Sequence, residues 1–280
     1  MPAEPADTVE LPRVESLSMS NRNPTPEDDS SQQDATERPL MYRLAQACAR
    51  HFLGHPVPSP EGVKEIADLM QQIRAPDLGL VEDGPKLQHI EFVDVLETPH
   101  FTVGIFLIPE GRFLPLHDHP GMTVLSKVVF GELLVTSYDK ADYSRPTSQH
   151  DFEVPFPAVV RSAGELVRKE DAPKVLHPTY DGNLHEFVAH TDCGLLDILA
   201  PPYDFEGGRP CNYFQVVEGN GASSRSSAQL QVGNVVKMVA TEVPTDFFTL
   251  RRPYTGPELP GHSNANGQQE EVGTRGPEHA

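Results

Sequence analysis

The residues best placed to do chemistry lie in one short run, Gly111-Arg-Phe-Leu-Pro-Leu-His117-Asp118-His119-Pro120-Gly121-Met122-Thr123-Val124, with Gly131 following after six intervening residues. In an extended chain side chains alternate, so His117 and His119 point to the same side and can both reach one ion. A bare His-x-His pair is weak, because 12 histidines in 280 residues produce such pairs by chance, and ordinary surface histidines are the alternative. Position strengthens the signal here: the pair sits between two strand-like runs, with glycines on both flanks.

The spacing Gly111-x5-His117-x-His119-x4-Val124-x6-Gly131 resembles the first motif of the cupin superfamily, a double-stranded antiparallel β-barrel that binds a metal within it. Most cupins place a glutamate where this chain has Val124. Gly182-Asn183-Leu184-His185 is similar to the second cupin motif, with Tyr180 and Ala189 standing where proline and asparagine are usual. The resemblance implies a ligand set of His117, His119 and His185 without a carboxylate. His177, ahead of another strand-like region, is the rival for the third place, whereas His190 lies an odd number of residues from His185 and faces the other way on a continuous strand. His51, His55, His89, His100, His150, His262 and His279 have no supporting context.

Three neutral imidazoles on a divalent metal leave its charge uncompensated and up to three positions open, unlike the two-histidine-one-carboxylate triad of many non-haem iron oxygenases. A thiolate would neutralise one charge, and coordination deprotonates a thiol whose free pKa is near ~8.5. Dioxygen at an adjacent position would then stand beside sulfur, and proximity favours oxygenation of the sulfur. A thiol dioxygenase is thus a reasonable use of such a centre.

Four separated runs make the resemblance more specific. Pro115–Met122 with Leu125–Glu132, then Leu196–Tyr203, Arg209–Phe214 and Pro253–Pro257, occur in the order found in the cysteamine dioxygenase and plant cysteine oxidase family, and the similarity extends over most of residues 40–260. That resemblance implies iron(II), one per chain, with O2 as co-substrate, and conversion of a thiol to a sulfinic acid, the second rung of cysteine oxidation. The implied substrates are proteins or peptides with an N-terminal cysteine and, in animal members, free cysteamine.

Two further positions follow from the matched runs. Asp197 alternates with Leu195 and Leu199, so it shares a face with two aliphatics, where a carboxylate is costly unless paired. The resemblance places it near the substrate, where it would hold an α-ammonium or orient a metal ligand; a structural acceptor near a strand end is the alternative. Tyr203 occupies the matching Pro-Pro-Tyr turn, and both residues are candidate catalytic groups. Cys211 and Tyr213 lie two apart, and the resemblance implies that this pair can form a thioether cross-link in animal cysteamine dioxygenases; an unmodified thiol beside a ring is the alternative. Cys193 has no defensible role.

The elements that must position these groups fall into two textures. Leu40, Leu44, Ala47, Cys48 and Phe52 share a helical face ending before Gly54 and Pro56, and Ser59-Pro60-Glu61 opens a second helix with Val63, Ile66, Met70 and Ile73 in line. Cys48 therefore reads as a core residue. From about residue 86 the chain becomes short β-rich runs: 90–95, 101–108, 124–130, 133–138, 184–189, 195–199, 213–217 and 235–239. So many punctuated runs predict an antiparallel sandwich or barrel, with Glu218–Ser227 as a loop and no internal repeat. The expected class is mainly β, a cupin-type double-stranded barrel behind two N-terminal helices.

Twenty-two basic against 41 acidic residues give a formal charge of −19, which argues against a nucleic-acid binder or a polybasic membrane-surface protein. Residues 1–39 hold nine acids and three bases with few aliphatics and read as a disordered acidic tail; 261–280 read as a second such tail. The folded part between them is itself acidic and would mildly favour cationic ligands. Three cysteines cannot form a disulfide framework and suggest a reducing compartment, the cytoplasm or nucleus; no secretory signal is visible, and no apolar run approaches the ~20 residues of a spanning helix.

The leading expectation is an iron(II) thiol dioxygenase acting on N-terminal cysteines, marking substrates for degradation as an oxygen sensor. Its rivals are the same chemistry on cysteamine or free cysteine, a cupin dioxygenase or isomerase of a non-thiol substrate, and a non-catalytic cupin. Free cysteine needs a cation for its carboxylate, and nothing in the sequence places Arg112, Lys127 or Arg161 at the metal. A monomer is the default, since no heptad or apolar interface stripe is visible.

Overall fold

The computed structural model describes residues 38–54, 57–143, 147, 149–217 and 230–260. The expected tails, apart from Arg38, Pro39 and their neighbours inward, and the expected loop at Glu218–Ser227 lie outside them. Helices α1 (Leu40–Phe52) and α2 (Pro60–Gln72) come first and are followed by a single 3-10 turn, Ala75–Leu78. Ser59 caps α2 by accepting the Gly62 N–H at 3.2 Å, and Pro60 sits in the first turn, where no intrahelical donor is lost. No described helix is long and apolar enough to cross a membrane.

Among the described residues twelve strands follow: β1 (Glu91–Glu97), β2 (Thr102–Ile108), β3 (Phe113–Asp118), β4 (Thr123–Phe130), β5 (Glu132–Lys140), β6 (Phe156–Arg168), β7 (Lys174–Leu176), β8 (Leu184–Ala189), β9 (Cys193–Ala200), β10 (Tyr213–Val217), β11 (Val235–Thr241) and β12 (Leu250–Arg252), with a short helix α3 (Gln149–Glu153) between β5 and β6. They form two layers. One sheet runs β12-β1-β2-β9-β4-β7; the other, β10-β11-β6-β5-β8-β3, closes through the Tyr213↔His117 pair. This is the expected mainly β, cupin-type barrel.

Strand alternation decides what each face does. On β9, Leu196 and Ile198 turn outward and pack with Leu44, Cys48, Ile66 and Met70 of the helices. Each such fully buried aliphatic contributes about 1.5–3 kcal/mol, so the helices are a lid on the first sheet and Cys48 is core, as its helical period predicts. Leu195 turns inward and packs with Leu133, Val135 and Phe187 of the second sheet. Asp197 is therefore carried into the space between the sheets.

Two differences from the sequence reading have physical reasons. His117 lies within a strand, β3, rather than between strands; Pro115 and Asp118 disfavour strand by composition, but pairing to β8 and β10 holds the segment extended. β6, at 13 residues the longest strand, was unread because Pro157, Gly164 and scattered charges break its pattern. The break at Gly164 is accommodated: the β5–β6 register shifts there, between Val135 and Ser137 of β5, and Gly164 takes φ +71°.

Candidate metal centre

β3 and β8 build the centre together. In their register His117 stands directly opposite His185, and His119 follows just beyond the end of β3. The ligand atoms of His117, His119 and His185 all lie within 4.8 Å of one another, with ring centroids 4.7–4.9 Å apart. His119 and His185 are buried and their Nε2 atoms approach to 2.9 Å. Two nitrogens bound at about 2.1 Å to a common ion and at right angles stand about 3 Å apart, so this spacing fits neighbouring ligands of one metal.

Hydrogen bonds select the tautomers. His117 Nδ1 donates to the Pro115 carbonyl at 2.7 Å, which leaves its Nε2 lone pair free. Tyr203 donates its hydroxyl proton to the Asp118 carbonyl at 2.7 Å, so its oxygen accepts from His119 Nδ1 at 2.8 Å, again freeing Nε2. Burial lowers the pKa of all three rings: His117 to about 4, His119 and His185 well below the usual value, the two latter helped by neighbouring imidazoles. Three neutral imidazoles are the donor set that a divalent first-row ion takes. Val124, where a carboxylate ligand is usual in cupins, packs instead with Met122, Leu176, Leu199 and Tyr203.

His177 is not part of the group: it stacks on Tyr180 at 4.4 Å and meets Asp181 through Nδ1 at 3.0 Å. His190 is exposed and faces Glu132. Elsewhere His51 pairs with Glu65, and His89 lies against Phe248.

A small pocket of about 40 Å³ adjoins the histidines and collects the other candidates, Asp197, Tyr203, Cys211 and Tyr213, among Phe106, Leu114, Leu199 and Phe247. Asp197 sits opposite Ser126 in the sheet, and Ser126 hydrogen-bonds its carboxyl. The other oxygen, Oδ1, is buried with no partner, and burial raises the carboxyl to about 7. Cys211 has the Tyr203 and Tyr213 hydroxyls within hydrogen-bond reach, and burial, with Asp118 nearby, pushes its thiol up to about 12. No lysine or arginine lines this pocket among the described residues: Lys127 is spent on the Lys169 and Asp171 carbonyls, and Arg161 on Asp139.

Two supporting residues were not read from the sequence. Asn183, fully buried, accepts the His119 N–H at 3.3 Å and donates to the carbonyls of His119 and His177 at 2.9 Å each. Asn212 donates its backbone and side-chain N–H groups to Asp118 at 3.0 Å, which fixes the strand entrance carrying Cys211 and Tyr213. Next to Gly182 and Cys211 these asparagines read as turn formers. The signal that could have marked them is their place inside the ligand and cysteine motifs.

The fold and the three-imidazole group define a cupin with a centre able to hold a metal ion. Residues 64–259 match the PCO_ADO family model, and the chain belongs to that family. It is 34% identical over 248 residues to the 2-aminoethanethiol dioxygenase of Mus musculus, covering 79% of this chain and 96% of that protein. To Plant cysteine oxidase 1 of Arabidopsis thaliana it is 30% identical over 194 residues, covering 62% of each. The protein is a thiol dioxygenase, an oxidoreductase.

Proposed function

We propose that the chain holds one iron(II) ion between His117, His119 and His185 and oxidises the N-terminal cysteine of proteins or peptides to its sulfinic acid. The reaction balances as R–SH + O2 → R–SO2H: both oxygen atoms go to sulfur, which loses four electrons to dioxygen. Bound iron supplies the site at which thiolate and dioxygen meet. The protein's own part is positional. Apolar walls exclude water from the small pocket, Tyr203 and Pro115 hold the imidazoles in their metal-binding tautomer, and Asp197 receives the substrate's ammonium.

The observation that carries this reading is the unpartnered Oδ1 of Asp197 in the pocket beside three convergent imidazoles. An α-ammonium next to a thiol is what both an N-terminal cysteine and cysteamine present. A small-thiol reading is favoured by the pocket's volume of about 40 Å³, and a free-cysteine reading is disfavoured because no cation lines it among the described residues. We assign the protein to the cytoplasm or nucleus as an oxygen-dependent modifier of protein N-termini, in keeping with three free cysteines and no disulfide among the described residues. A monomer with no nucleic-acid or membrane partner completes the proposal. The test is steady-state kinetics of the iron-reconstituted protein on a Cys-initiated peptide, cysteamine and free cysteine: the peptide should have the highest kcat/KM, and preference for cysteamine would replace this reading with the small-thiol one.

A further inference from the structure

A second space reaches the metal centre at His185. It is a cavity of about 470 Å³ between β4, β7 and β9 of one sheet and β5, β6 and β8 of the other. It runs from exposed Lys174, Tyr180 and Asp181 at one end to buried Val128, Leu195 and His185 at the other. The small pocket, at about 40 Å³, has room for only a few heavy atoms, whereas about 470 Å³ lies within the ~300–1,000 Å³ range of built ligand sites. The two spaces meet at the histidines, where His117 and His119 line the small pocket and His185 the wide one, and again at Asp197 of the small pocket and Ser126, its hydrogen-bonding neighbour across the sheet, in the wide one.

The wide cavity also carries a backbone template. β7 is the last strand of its sheet and pairs with β4 alone among the described residues, and all three of its residues line the cavity. An edge strand offers its free N–H and C=O groups to an extended peptide. The walls mix aliphatics with the hydroxyls of Ser137 and Ser162, a surface suited to a main chain with varied side chains rather than to one small thiol.

We infer that this cavity seats the residues that follow the N-terminal cysteine, as an extended strand along the free edge of β7, while sulfur and ammonium occupy the small pocket. The inference rests on the N-terminal-cysteine reading above and deepens it. It makes the cavity the determinant of peptide over cysteamine.

The test uses the iron-reconstituted full chain and three matched Cys-initiated peptides: one unmodified, one with its third backbone nitrogen methylated and one with its fourth. Successive N–H groups of a strand point to opposite sides, so only one of the two methylated peptides can lose its pairing to the edge. One should lose about tenfold or more in kcat/KM and the other remain within about twofold of the parent. In parallel, Val135→Phe, which fills the cavity wall, should lower the ratio of peptide to cysteamine kcat/KM about tenfold, cysteamine turnover itself reporting that the variant is folded. Oxidation of all three peptides at equal rates, with the Val135→Phe ratio unmoved, would overturn the inference alone. Failure of the wild-type protein to oxidise any Cys-initiated peptide would overturn the N-terminal-cysteine reading and the inference with it.

Discussion

His117 and His185 face each other as a directly opposed pair in the β3–β8 ladder, so the distance between two of the three candidate ligands is set by backbone hydrogen bonding rather than by side-chain flexibility. The third, His119, lies beyond the strand and depends on side chains instead: Tyr203 on its ring and Asn183 on its backbone. One side of the centre is held by main-chain pairing and the other by side chains, and substitutions should separate the two.

Tyr203→Phe removes the acceptor for His119 Nδ1 and the donor to the Asp118 carbonyl. Loss of such an outer partner typically costs about 10–100-fold in metal affinity. Calorimetric titration of the metal-free protein with cobalt(II) should show that loss, with the far-UV spectrum unchanged.

Asp197→Asn keeps the shape and the Ser126 contact but removes the charge offered to an ammonium. A hydrogen bond to a charged group is worth about 1.5–3 kcal/mol, so kcat/KM for amine-bearing thiols should fall roughly 10–150-fold. The same variant should oxidise propane-1-thiol, which lacks an amine, no more slowly than the wild type does.

Metal binding should resist acid more than an exposed histidine cluster would. Protons compete for an imidazole only once the pH falls to its folded-state pKa, which burial has moved down to about 4 for His117 and well below the usual histidine value for its two neighbours. Affinity for cobalt(II) should therefore hold between pH 7 and pH 5 and drop as the pH approaches 4. A steep loss near pH 6.5 would show that the rings are accessible to water.

Gly131 turns β4 into β5 at φ +73°, and an added Cβ would collide with the Asp192 main chain and Cys193. Gly131→Ala should destabilise the fold by at least about 1–3 kcal/mol, the usual cost of a strained left-handed residue. Urea denaturation of the metal-free protein measures it. The motif glycine thus has a folding role distinct from the chemistry beside it.

Much of this arrangement is legible along the chain where the cause is local. Helical periods through Leu44 and Cys48, the cap at Ser59 and the alternation of His117 with His119 each declare themselves within a few residues. What escapes is set by partners far away in sequence. β6 is extended because β5 and β11 pair with it, against the tendency of Pro157 and Gly164. Asn183 becomes a clamp only because the His119 turn, 64 residues earlier, lies against it. The wide cavity has walls from six strands, and no single segment carries its signature.

Oxidation of an N-terminal cysteine is tested most directly by mass spectrometry of a Cys-initiated peptide incubated with the iron(II)-reconstituted protein under ¹⁸O2. The expected product is a peptide carrying two labelled oxygens on its cysteine, absent when His185 is replaced by alanine. An unoxidised peptide, or one whose oxygens come from water, would contradict it.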